Sequence, residues 1–74
     1  MSVAEWTDSA GTHYAEHAHR QDELLIVLDG GMTMTIGGQE RTLGPGDRLE
    51  LRAGEPHLAT IGPDGATYLV GRRL

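Results

Sequence analysis

Eleven glycines divide this 74-residue chain into short segments, and none of the segments carries a helical repeat longer than two turns. What the segments do carry is strand patterning. Residues 23–28 (ELLIVL) form an apolar run long enough for a strand buried on both faces and too short for a stable helix. Residues 32–36 (MTMTI) alternate with period two, and Gly37-Gly38 follows as a two-residue hairpin signal into a return strand at 39–43. Gly44-Pro45-Gly46-Asp47 reads as a turn. Residues 48–52 alternate again, with Leu49 and Leu51 on one face. Strands at 12–19, 57–61 and 66–70 complete the set, the last two separated by a turn at Gly62-Pro63-Asp64-Gly65. Seven or eight short strands at this spacing predict an all-β domain, a sandwich or a small antiparallel β-barrel.

A chain of this length makes one domain, 1–74, with a modest core. Small scaffolds usually add a disulfide, a metal or a partner subunit. There is no cysteine, which removes disulfides and thiolate metal sites. Six basic residues stand against eleven acidic ones, and the chain has no lysine, so no nucleic-acid partner is expected. Arg72 and Arg73 read as a small basic spot in a solvated tail. Residues 1–10 are too polar for a signal core and no apolar run is long enough to span a bilayer, so no membrane association and a cytoplasmic location are expected.

Three of the four histidines lie in the stretch GTHYAEHAHRQDELLIVLDG. On a strand, side chains two apart share a face, so His17 and His19 point the same way. Glu23 opens the next, adjacent strand, and closure of a barrel brings His57 to the same interior spot. Three neutral imidazoles and one carboxylate suit one divalent transition metal: Fe, Mn, Ni, Cu, Co or Zn. The alternative is plain surface polarity on a strand. Without a bulge, His13 and Ala15 share the face of His17, which makes His13 either a donor beside the pocket or a histidine at the barrel mouth or surface. The same parity turns Tyr14 outward or into a partner. Leu25 and Val27 fall on the face of Glu23, and Ala59 and Ile61 on that of His57, so a small apolar pocket is predicted around the ion. Either the Met32 and Met34 face or the Thr33 and Thr35 face points inward. Trp6 is expected over a barrel end or across a dimer. Leu24, Ile26 and Leu28 on the opposite face call for cover by another edge, a terminus or a second subunit, and a homodimer is expected.

These positions resemble the cupins, small β-barrels with two short motifs. The first is G(X)5HXH(X)3,4E(X)6G, and Gly11, His17, His19, Glu23 and Gly30 fill each of its fixed positions. The second is G(X)5PXG(X)2H(X)3N, where Gly46, Gly54 and His57 match, Arg52 replaces the proline and Ile61 the asparagine. The resemblance implies a jelly-roll-like double-stranded β-helix and a metal held by His17, His19, Glu23 and His57. It implies no single activity, because cupins include dioxygenases, isomerases, epimerases, decarboxylases, storage proteins and sensor domains. The missing cluster of Arg or Lys argues against phosphomannose isomerases and nucleotide-sugar epimerases. Two readings of the metal stay open: a centre of dioxygenase-like or isomerase-like chemistry on a small organic molecule, or an ion that mainly staples the fold. No organic cofactor is called for, and no catalytic residue is singled out.

Overall fold

The computed structural model describes residues 1–73, and among them every regular element is a strand. There are six: β1 (Ser2–Asp8), β2 (His13–His17), β3 (Glu23–Ile36), β4 (Gln39–Leu43), β5 (Arg48–Leu51) and β6 (His57–Arg72). No helix is long and apolar enough to cross a membrane.

The strand count differs from the expected seven or eight because β3 and β6 each join two predicted strands. They run antiparallel to one another from Glu23↔Arg72 to Ile36↔His57. The first half of β3 also pairs with β5, and its second half with β4. The second half of β6 pairs with β1, and its first half with β2. The result is two four-stranded layers, β5-β3-β6-β1 and β4-β3-β6-β2, that share their two central strands and fold over a common interior. This is the predicted jelly-roll arrangement. Among the described residues no ladder joins the outer strands of the two layers, so the barrel stays open.

The fold turns its corner at Gly30. Gly30 pairs with Ala66 and Met32 pairs with Ile61, so residues 62–65 stand opposite Gly31 alone. The Gly62-Pro63-Asp64-Gly65 stretch is therefore a bulge in one long strand and not the chain reversal that its composition suggests. Gly30 has φ +71°, and a Cβ there would lie 2.0 Å from the Gly65 carbonyl oxygen. The hairpin at Gly37-Gly38 behaves as expected: both residues have positive φ, as a type I′ turn needs, and Ile36 pairs with Gln39.

The predicted inward faces hold. Leu25, Val27, Ala59 and Ile61 are buried, and of the two candidate faces it is Met32 and Met34 that point in. On the opposite face Leu24 and Ile26 are half-buried, while Leu28 is 44% and Val3 62% exposed. Met1 folds back beside Gly71 and lines a groove with Leu24, so a terminus covers this face in part.

Candidate metal centre

His17 is the last residue of β2 and pairs with His57, the first of β6. The ladder therefore places these two rings side by side, with centroids 4.5 Å apart. His19 lies beyond the end of β2, in the loop that leads to β3, and not on the strand predicted through residue 19. Strand parity does not aim it. The loop is instead tied down by backbone bonds. Gly54 N–H donates to the His19 carbonyl at 2.8 Å, and Arg73 N–H to the Asp22 carbonyl at 3.1 Å. Ala53 N–H donates to Asp22 Oδ1 at 2.8 Å. So held, the His19 ring sits 4.7 Å from His17 and 5.2 Å from His57, centroid to centroid. Potential ligand nitrogens of the three rings all lie within 4.8 Å of one another.

Two of the rings have their tautomer fixed by the backbone. His17 Nδ1 is 2.7 Å from the Ala15 carbonyl and His57 Nδ1 is 3.0 Å from the Glu55 carbonyl. A carbonyl only accepts, so each Nδ1 carries a hydrogen and each neutral ring keeps a lone pair on Nε2. His17 Nε2 stands 3.1 Å from His19 Nε2. Nitrogens grouped in this way fit a shared cation, and the 3.1 Å spacing is within reach of two nitrogens each about 2.0–2.1 Å from one ion. Carbonyls that orient imidazoles from behind are a common support for metal ligands. Burial pushes the His19 imidazole below its ordinary value; His17, His57 and Arg72 act in the same direction, and Glu23 opposes them.

Glu23 is buried at the same end of the interior. Its Oε1 is 3.6 Å from His19 Nε2, and its Oε2 accepts a 2.6 Å hydrogen bond from Arg72 Nε. The structure thus brings all four predicted residues to one place, but the three histidines form the tight group and the carboxylate is shared with an arginine. Arg72 is not part of a solvated tail. Its backbone pairs with Glu23 across β3 and β6, and its side chain lines the cavity. The signal for it was present: Tyr68 and Val70 alternate inward on β6, and two residues further the same parity reaches Arg72.

The cavity beside these groups has a volume of about 170 Å³. Leu25, Met34, Leu51 and Ile61 form an apolar wall, and Trp6, Tyr14 and Tyr68 an aromatic one. Tyr14 was expected to face outward or into a partner. The β2–β6 register shifts between Tyr14 and His17, and this bulge puts Tyr14 on the inner side with His17. His13 is correspondingly on the outside, exposed, with Nδ1 2.9 Å from Thr60 Oγ1. Tyr14 and Tyr68 both donate to Asp8 Oδ2, at 2.8 and 2.6 Å, which straps β1, β2 and β6 together. Burial first, and then the bond to Asp8, raise both phenols above their ordinary value, so both stay protonated donors at neutral pH. Asp8→Ala leaves these donors without their acceptor and is expected to cost about 1–3 kcal/mol. A lowered urea midpoint with unchanged metal content is the expected reading.

Known structures share this architecture. A protein of unknown function from Rhizobium leguminosarum superposes with TM-score 0.88 at 21% identity, over 95% of this chain and 66% of its own. An RmlC-like cupin from Shewanella frigidimarina gives TM-score 0.86 at 21% identity, over 95% of this chain and 62% of its own. KdgF from a Halomonas species gives TM-score 0.82 at 24% identity, over 97% of this chain and 68% of its own. This chain thus spans less than two thirds of the length of the first two, and likeness at such identities establishes the fold alone. Among curated proteins no significant match to the sequence is found. The family profile of the cupin domain matches residues 4–70, which takes in both histidine-bearing segments, all of β3 and β6 as far as Val70, and the chain belongs to that family.

Proposed function

We propose that this cupin domain binds one divalent transition metal through His17, His19, His57 and Glu23, and acts on a small organic molecule in the adjoining cavity. The observation that carries the reading is the convergence of three imidazoles, two of them oriented through Nδ1 by backbone carbonyls. Fe, Mn, Ni, Cu, Co and Zn all suit this donor set. The chemistry such an ion supplies when bound is Lewis-acid polarisation of a coordinated oxygen, or redox activation where the metal allows it, which places an isomerase-like or oxygenase activity first. The chain's own part is to orient the ligand imidazoles, to exclude water with an apolar wall and to limit the substrate by size. The cavity is well below the roughly 300–1,000 Å³ of sites for drug-sized ligands.

Elemental analysis of protein purified without an affinity tag and without added metal tests this directly. One ion per chain is expected; a protein that neither carries nor takes up metal would overturn the reading. The second reading, a metal that mainly staples the fold, is favoured by the small core and is separated from the first by turnover assays on the loaded protein.

Metal and pH act together. A ligand that binds only the folded state at a thousandfold over its dissociation constant adds about 4 kcal/mol. A chelator at pH 7 is therefore expected to lower Tm by about 15 °C or more, at roughly 4–8 °C per kcal/mol for a domain of this size. His19 has a folded value below its unfolded one. Its contribution to stability is complete above the unfolded value of about 6.5 and is lost as pH falls from there through the folded value. Protonation also displaces the metal over the same range. The chelator effect should consequently vanish near pH 5, read by melting with and without chelator across pH. A chelator effect as large at pH 5 as at pH 7 would exclude histidine ligation.

The exposed outer face with Val3 and Leu28 is proposed as the contact of a homodimer, to be checked by light scattering at micromolar concentration. A monomer there would refute it. The absence of cysteine is in keeping with a cytoplasmic location, which is likewise proposed.

A further inference from the structure

We propose that the ligand of this site is a small organic carboxylate, gripped by the Arg72 guanidinium. The proposal deepens the functional reading above and rests on it. A guanidinium has five N–H donors in a planar fork. Among the described residues the only side-chain hydrogen bond of Arg72 is the one from Nε to Glu23 Oε2, at 2.6 Å. That bond fixes the plane of the group at its Nε edge and leaves the donors on Nη1 and Nη2 uncommitted. The side chain lines the cavity and is 47% exposed, so the free edge is open to a ligand.

Charge points the same way. Glu23 and Arg72 neutralise each other as a pair, and the imidazoles ligate only as neutral rings. A bound divalent ion therefore leaves two positive charges uncompensated at one end of a cavity whose walls are apolar. In such surroundings charge is poorly screened, and an anion is the fitting occupant. The recognition element is a single planar fork, which matches a carboxylate in two parallel hydrogen bonds. A phosphate dianion would call for further cations, and no other Arg lines the cavity in this lysine-free chain. The volume of about 170 Å³ restricts the molecule to a short acid.

The test uses zinc-loaded protein whose metal content is measured before and after each titration. Malonate is the probe and malonamide, its neutral isostere, the control. Calorimetry is expected to show saturable malonate binding at least tenfold tighter than that of malonamide. In ¹⁵N spectra of the wild-type protein, the Arg72 Nη signals are expected to move with malonate while the Nε signal, bonded to Glu23, moves little. Arg72→Gln strands the buried Glu23 carboxylate and risks unfolding, so the variant of choice is Arg72→Lys, which keeps the charge and loses the fork. With circular dichroism and zinc content unchanged, it should bind malonate at least tenfold more weakly. Equal binding of malonate and malonamide, or undiminished binding by Arg72→Lys, would overturn the carboxylate proposal while leaving the metal site standing. Failure of the wild type to retain zinc or any of the other five metals would overturn both, and the elemental analysis tells the two failures apart.

Discussion

Replacing Gly30 by alanine is expected to abolish folding. The residue sits where β3 bends from one layer into the other, and the incoming methyl would lie 2.0 Å from the Gly65 carbonyl oxygen, 2.8 Å from its carbon and 3.0 Å from Ala66 Cα. All three are backbone atoms, so no side chain can swing aside. Relief requires the bulge at 62–65 to move, and Gly65 is itself confined, since a Cβ there would come within 2.9 Å of the Asp8 carbonyl oxygen. Positive φ adds about 1–2 kcal/mol of strain. A domain of 74 residues has a net stability of about 4–11 kcal/mol, and a backbone clash of this kind belongs with substitutions costing more than about 4. Gly37→Ala is the control, because it has φ +57° and nothing within 4 Å of its would-be Cβ. It should lose only the strain term, about 1–2 kcal/mol. Circular dichroism melts of both variants decide the matter; a Gly30→Ala protein as stable as Gly37→Ala would mean the corner is built differently.

The second large effect concerns metal content. His57→Ala removes the most buried of the three imidazoles, 3% exposed and held from behind by the Glu55 carbonyl. At least a tenfold loss of metal affinity is expected, because one of the three closely grouped nitrogens is gone. His13→Ala serves as the comparison. That ring lies on the outer side of β2 against Thr60, and its removal should leave the metal stoichiometry intact. Equal losses in the two variants, by elemental analysis after dialysis against the same metal buffer, would mean that the ligand set is wrong.

The contrast between His13 and Tyr14 also marks where the sequence is silent. Alternation placed Leu25, Val27, Ala59 and Ile61 correctly, because apolar side chains every second residue report which face is dry. It reversed His13 and Tyr14, because the bulge before His17 inserts a residue without any Gly or Pro to announce it. That His17, His19, Glu23 and His57 come together was legible from their spacing, yet His19 arrives by a pinned loop and not by strand parity. β1 left no trace in the pattern. It is an edge strand, exposed almost throughout, whose inner side carries Ser2, Ala4, Trp6 and Asp8, with no apolar alternation to read. Arg72 escaped notice because a charged residue at a strand end looks like surface. Only its register opposite Glu23 shows that it is the partner of a buried carboxylate.

The shared central strands have a kinetic consequence. Among the described residues β1 and β2 find their ladders only on β6, and Ser2 pairs with Arg72 across nearly the whole chain. During synthesis only β3, β4 and β5 can pair with one another before β6 emerges. Closing such distant pairings is slow, on the order of milliseconds to seconds for β topologies of this kind. His57 opens that last strand, so the imidazole group cannot be complete until β6 has begun to pair. An ion that requires all three rings takes no part in the earlier pairing of β3 with β4 and β5.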